Sequence, residues 1–413
     1  MLSTTANSTR KLSRWISLLL VAVMISSASP LMHAKKQKPA PAAPPKPKKE
    51  FDTSRLVWPQ PPDIARIKYM TQLFGEDKPP EVLNASQKRK KGWMDRLAGV
   101  QTDVKASPSS VNHVFGKPYG VAVDSKGRIY VADTYVGAVF IYDQENHSFQ
   151  FIRNGYEGRF RTMIGVAVDD NGRVFVSDAD MKQVSVFSPE HKLEAIFGND
   201  YMGRPSGMAL DVENRFLYVV DAEKETVFVI DADTLKKIRT IGGPPKKDVD
   251  EDPGVFSKPT NAAVDKEGNV YVADTINNRI QIFDADGQFV SMFGRQGDGP
   301  GFFERPKGVA IDADGHIWVV DAGQHRVQIF NRDGHLLGHF GGPGYLPGQF
   351  GLPTGIAIDS RTNRVIVAEQ VQGRVQIFRY FTEAEVATEK AEREKKASAS
   401  TATPPPPDEE VKK

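Results

Sequence analysis

The chain has 413 residues, 39% hydrophobic and 26% charged, with a formal net charge of +2 and no cysteine. That length allows roughly two to three domains with a substantial buried core, which excludes collagen-like, wholly disordered and polytopic-membrane chains. Without cysteine there is no disulfide scaffold, zinc finger, RING domain, Cys-ligated iron–sulfur centre, covalent haem attachment or thiol catalysis.

Arg10, Lys11 and Arg14 precede an apolar run from Trp15 to Ile25, and small residues follow to Ala34. This layout predicts a secretory signal peptide over 1–34 and a periplasmic or extracellular mature protein. The run is short of the ~20 residues that span a bilayer. Met32 is bulky for the −3 position before Ala34, so an uncleaved helix anchoring the protein to the inner membrane is the alternative. Removing residues 1–34, with three basic and no acidic side chains, turns the net charge to −1, and nothing points to nucleic acid.

Residues 35–50 hold six Lys and one Glu among prolines and read as an extended linker. Residues 51–65 form a lead-in segment. Residues 66–75, with Ile67-Lys-Tyr-Met-Thr-Gln-Leu-Phe-Gly75, read as one isolated strand. The stretch 76–110 is a basic insertion. In it Lys88-Arg-Lys-Lys91 precedes Trp93, Leu97 and Val100, which share one stripe of a short amphipathic helix. Residues 35–50 and 88–100 are therefore the expected points of peripheral membrane contact.

Six copies of one unit fill 111–381. Each opens on Pro118, Met163, Pro205, Pro259, Pro306 or Pro353 and carries a first acid six residues later: Asp124, Asp169, Asp211, Asp265, Asp312 and Asp359. These are spaced by 45, 42, 54, 47 and 47 residues. A second acid follows nine or ten residues on: Asp133, Asp178, Asp221, Asp274, Asp321 and Glu369. Each copy reads as four short strands between Gly/Asp turns, the pattern of a β-propeller blade. The fold class expected is all-β, a six-bladed β-propeller. The last copy lacks its fourth strand, so 66–75 is expected to pair onto it and close the ring. In 382–413, Thr382 and Glu385 form a capping box for a charged helix, and a disordered Pro-rich tail follows.

The copies at 270–294 (VYVADTINNRIQIFDADGQFVSMFG) and 317–341 (IWVVDAGQHRVQIFNRDGHLLGHFG) resemble NHL repeats. The segment Trp58-Pro-Gln-Pro-Pro-Asp-Ile-Ala-Arg-Ile-Lys-Tyr69 resembles the lead-in of exported bacterial NHL proteins. The resemblance implies a six-bladed propeller and, by analogy with some such proteins, a link to multihaem cytochrome systems. It also admits lyases, hydrolases, RNA-binding domains and sensor domains.

Loops joining fourth to first strands share one face with those joining second to third strands, and the former are glycine-rich. Phe115, Phe160, Phe256, Phe303 and Phe350 sit three residues before the repeat anchor and are expected to wedge between blades. Trp93, Tyr135, Tyr201, Phe302, His325 and Tyr345 are the candidate binding residues on that face. The opposite face is expected to offer tight turns with little room for recognition. The second acids allow a channel-mouth ion ring; the alternative is a structural ring that caps loop N–H groups or pairs with Arg279, Arg326 and Arg374. No catalytic residue is assigned, because neither converging histidines nor a nucleophile motif is present. No cofactor is expected beyond a structural cation in the channel. The function expected is a monomeric, non-catalytic module that binds or scaffolds a protein or cell-envelope polymer; the alternative is a periplasmic metal-dependent lyase or hydrolase.

Overall fold

A computed structural model describes residues 52–75, 114–153, 160–244 and 253–400. The signal peptide, the Lys/Pro linker, Trp93 with its insertion, and the Pro-rich tail lie outside the described residues.

Two strands precede the repeats: β1 (Val57–Trp58) and β2 (Ile67–Leu73). Blade one is β3 (Pro118–Val123), β4 (Ile129–Asp133), β5 (Ala138–Asp143) and β6 (Ser148–Arg153). Blade two is β7 (Met163–Val168), β8 (Val174–Asp178), β9 (Gln183–Phe187) and β10 (Leu193–Phe197). Blade three is β11 (Pro205–Asp211), β12 (Phe216–Asp221), β13 (Thr226–Asp231) and β14 (Lys237–Ile241). Blade four is β15 (Asn261–Val264), β16 (Val270–Asp274), β17 (Arg279–Phe283) and β18 (Phe289–Phe293). Blade five is β19 (Pro306–Ile311), β20 (Ile317–Asp321), β21 (Arg326–Phe330) and β22 (Leu336–Gly341). Blade six has β23 (Pro353–Asp359), β24 (Arg364–Glu369) and β25 (Arg374–Tyr380), and a helix α1 (Glu383–Ser400) follows.

Each blade is an antiparallel meander whose second and third strands are buried almost throughout, as both faces of these β-branched and aromatic runs meet neighbouring blades. The fourth strands alternate, with one side open to water. The innermost strands crowd the axis. A Cβ on Gly120 would lie 2.3 Å from the Ile164 carbonyl oxygen, and one on Gly355 2.3 Å from that of Tyr119. The second contact is between blades six and one.

The propeller closes as the strand count required. Strand β2 pairs antiparallel with β25, from Ile67 opposite Tyr380 to Leu73 opposite Val375. The sheet extends one strand further than expected, in the order β1-β2-β25-β24-β23, because Val57 and Trp58 pair with Lys68 and Ile67. Trp58 packs on Phe340 and Phe378, with ring centroids 5.7 and 6.0 Å apart, which binds the lead-in to the core between blades five and six.

The five wedge phenylalanines are all buried, and Met202 takes the sixth place, in blade three. The glycines that end the Phe-Gly strands at 198, 294 and 341 make room for the wedge. At Gly341, with φ +94°, a Cβ would lie 2.5 Å from the Phe350 ring. Helix α1 begins with the capping box: the Thr382 N–H donates to Glu385 Oε2 (2.9 Å) and the Glu385 N–H to Thr382 Oγ1 (3.3 Å). Among the described residues, no helix is long and apolar enough to cross a membrane.

Candidate functional site

The second acids end the second strands, and all six are fully buried. Asp133 accepts the N–H groups of Gly116, Lys117, Tyr135 and Val136 at 2.7–3.1 Å. Asp178, Asp221 and Asp321 each hold four loop N–H groups in the same way. Asp274 instead takes Ser257 N–H (2.7 Å) and Arg279 Nε (2.8 Å), and Glu369 takes Gly351 N–H (2.8 Å) and Arg374 Nε. Capping and pairing thus divide the ring between them. Arg326 differs from the expected pairing: it donates to the Asp298 and Gly299 carbonyls, since Asp321 is already filled by N–H donors. Carboxylates so saturated have little left to offer an ion. The axial cavity is about 50 Å³ and is lined by inner-strand residues such as Gly120, Val166, Met208 and Ile356, without a carboxylate or imidazole.

The aromatic residues of the glycine-loop face do not form one platform. Tyr135 and Tyr345 stand out at 77% and 70% exposure. Tyr201 is half-buried against Phe228, with the Lys237 ammonium 4.8 Å from its ring centre, and burial pushes its hydroxyl up to about 12. Phe302 is also half-buried, under the Arg295 guanidinium at 4.4 Å, where Gln324 and Gln328 hold its carbonyl. Both serve their loops. His325 accepts the Leu352 N–H at Nδ1 (3.2 Å) and ties two loops together. The sequence reading missed an apolar arc on blades six and one. Val371 covers Gly351 beside Leu352, and Tyr135 covers Gly116, whose carbonyl meets the turn at Gly373. Tyr345 and Leu346 extend the exposed apolar surface on the 341–353 loop.

The opposite face is not featureless. Between blades five and six it holds a pocket of about 510 Å³, walled in part by Trp58, Trp318 and Tyr380. Asp312, Asp314 and His316 bring their oxygens and nitrogens within 4.8 Å of one another at its rim. They are a charge-paired turn rather than an open ligand set. Asp312 Oδ2 meets His316 Nδ1 at 2.9 Å and accepts the Trp318 indole N–H at 2.9 Å. Its Oδ1 takes the N–H groups of Asp314 and His316. Burial pushes the Asp312 carboxyl up, but the hydrogen bonds from His316 and Trp318 together outweigh it and hold the carboxyl below its usual range; the hydrogen bond to Asp312 in turn raises His316.

With this geometry in hand, the comparisons agree on architecture. A family described as NHL repeat matches residues 115–142, and one described as 6-bladed beta-propeller matches residues 261–327. The protein is an NHL-repeat six-bladed β-propeller. This propeller is 39% identical over 88 residues to a probable peptidyl-alpha-hydroxyglycine alpha-amidating lyase of Caenorhabditis elegans, covering 21% of this chain and 24% of that protein. It is 48% identical over 44 residues to the protein brain tumor of Drosophila melanogaster, covering 11% of this chain and 4% of that one. The chain therefore spans a quarter or less of both curated relatives. A solved protein of unknown function from Bacteroides thetaiotaomicron shares the fold at a TM-score of 0.51 and 16% identity, over 64% of this chain and 70% of that one.

Proposed function

We propose that this propeller is an exported binding module that recognises a protein or polymer partner of the cell envelope and performs no chemistry. The observation carrying this reading is the exposed apolar arc of Tyr135, Val371, Leu352 and Tyr345 on the glycine-loop face. Exposed apolar surface on loops that a rigid scaffold holds in place is the common ground of protein recognition. The ring acids support the same reading, because they are spent on holding those loops. Export rests on the signal-like segment 1–34, with 35–50 and 88–100 as added tethers to the membrane surface. Any association with multihaem systems remains at the level of analogy to exported NHL proteins.

The test is capture of a partner from the native envelope fraction by the mature protein. Tyr135→Ala with Tyr345→Ala should lose a partner that the parent protein captures, with the melting transition unchanged. Capture that survives these changes, but fails when exposed turn residues such as Lys126 and Lys266 are altered, overturns the choice of face. The second reading, a metal-dependent lyase, has in its favour the local likeness to the amidating lyase. A tightly bound metal at one equivalent in the purified protein would favour it.

A further inference from the structure

Two positions of blade five shape the tight-turn pocket between blades five and six. The first lies four residues after the first acid. In blades one and two it is Arg128 and Arg173, whose Nε atoms bond Asp124 and Asp169 at 2.6 and 2.9 Å. Their guanidinium groups sit 5.7 and 5.5 Å from the ring centres of Tyr130 and Phe175. Blade three has Arg215 at this position, but it turns to Asp169 and Asp233. Its Arg239 lies 5.5 Å from the centre of Phe216, two residues before Tyr218, the counterpart of Tyr130 and Phe175. Blade four has Asn269, bonded to Asp265. Blade five has His316, which reproduces only the near nitrogen of that arginine, at Asp312. Among the described residues no arginine or lysine lies over Trp318.

The second position is Gly338, paired across the sheet with Ile329. At the same register the other blades carry Gln150, Ala195, Arg239, Ser291 and Thr71. In blade three this is the very position that supplies the guanidinium. At Gly338 a Cβ would meet nothing within 4 Å, so the missing side chain is open space inside the pocket.

The rest of the lining suits what is missing. The volume, about 510 Å³, falls within the ~300–1,000 Å³ of small-ligand sites. At the rim Arg66 is paired with Glu383 and His316 with Asp312, while the exposed Asp314 carboxylate has no ion-pair partner among the described residues. The Tyr380 ring adds to the apolar wall, and its buried hydroxyl is approached by the Ala313 amide. A guanidinium group is planar, carries donors only, stacks on an indole face and meets a carboxylate with its edge.

We infer that this pocket binds a guanidinium group, the ligand supplying to Trp318 the cation that blades one and two carry on their own arginines. A free guanidine compound and an arginine side chain on a peptide share that chemistry. The inference is independent of the loop-face reading, which concerns other residues on the other face.

The experiment titrates the full chain with agmatine, with an acetylated and amidated Gly-Arg-Gly peptide, and with the same peptide carrying uncharged citrulline, by calorimetry and tryptophan fluorescence. Agmatine or the arginine peptide should saturate, and citrulline should bind about ten-fold more weakly or not at all. Agmatine alone binding marks the free compound as the source, and the peptide alone marks a chain; either supports the inference. Gly338→Leu should abolish binding without lowering the melting temperature, since its backbone lies outside the left-handed region and the space is empty. Should that variant melt early, Asp314→Asn, in an exposed turn, should still weaken binding several-fold. Equal affinity for arginine and citrulline overturns the inference, as does binding indifferent to both substitutions, or no saturable binding of either cation.

Discussion

Asp321 shows what the second acids do at the scale of one residue. Its two oxygens hold the N–H groups of Glu304, Arg305, Gly323 and Gln324, joining the incoming glycine-rich loop to the turn between β20 and β21. Alanine there strands several buried donors, each costing about 1–3 kcal/mol. Asp321→Ala should therefore lower unfolding stability by about 3 kcal/mol or more in denaturant titration, while Asp314→Asn on the same blade should stay within about 0.5 kcal/mol. A loss at Asp321 no larger than that at Asp314 would mean the loops hold themselves. His316 gives a pH signature. Asp312 raises its pKa above the ordinary 6.5 in the folded protein. A raised folded value contributes stability that is fully present below 6.5 and is lost as pH rises through the folded pKa. His316→Gln should cost more in melting temperature near pH ~5.5 than near pH ~8.5, whereas a gap that widens toward alkaline pH contradicts the pairing.

At the scale of elements, the sequence made the repeats legible because the two internal spacings recur in every copy. The wedge phenylalanines were readable for the same reason, and so was the helix start at Thr382. Strand β1 was not readable: two residues carry no periodicity, and its place is set by Trp58 reaching Phe340 and Phe378 across the fold. Tyr201 and Phe302 looked like free loop aromatics because nothing local reveals Lys237 and Arg295 lying over them. The pocket was hidden for a related reason. The His316 substitution stands in a position where blades one to three have Arg128, Arg173 and Arg215, so that half of the signal was present. The other half, Gly338, has meaning only once the pairing register is known. The Phe-Gly signature yields a test at this scale. Gly341 has φ +94° and faces Phe350 at 2.5 Å, so Gly341→Ala meets both backbone strain and a clash. It should lower the melting temperature sharply, and Gly338→Ala, three residues earlier with open space, should not. Equal effects would remove the case for the wedge.

At the scale of the whole molecule the question is what keeps a ring of six separate sheets closed. Five blades draw all four strands from one continuous stretch of chain, but blade six borrows its fourth from 302 residues upstream, the separation spanned by the bond from Arg374 Nη1 to Gln72. The buried Arg374 also holds the Tyr345, Leu346 and Gln349 carbonyls, so the closing strand and the neighbouring glycine-rich loop meet at one side chain. Removing β2 would open the whole edge of β25 and uncover the surface beneath Ile67, Tyr69 and Leu73, each worth about 2 kcal/mol of burial. A long apolar edge of that kind pairs with other chains. Deleting residues 52–75 should therefore give aggregates or a non-cooperative melt. Deleting 383–413 is the control, because α1 adds Val386 and surface ion pairs without entering any sheet. That truncated chain should remain monomeric in light scattering and melt in one transition. If the protein lacking 52–75 does the same, blade six is stable with three strands, and closure by the borrowed strand is not what holds the ring.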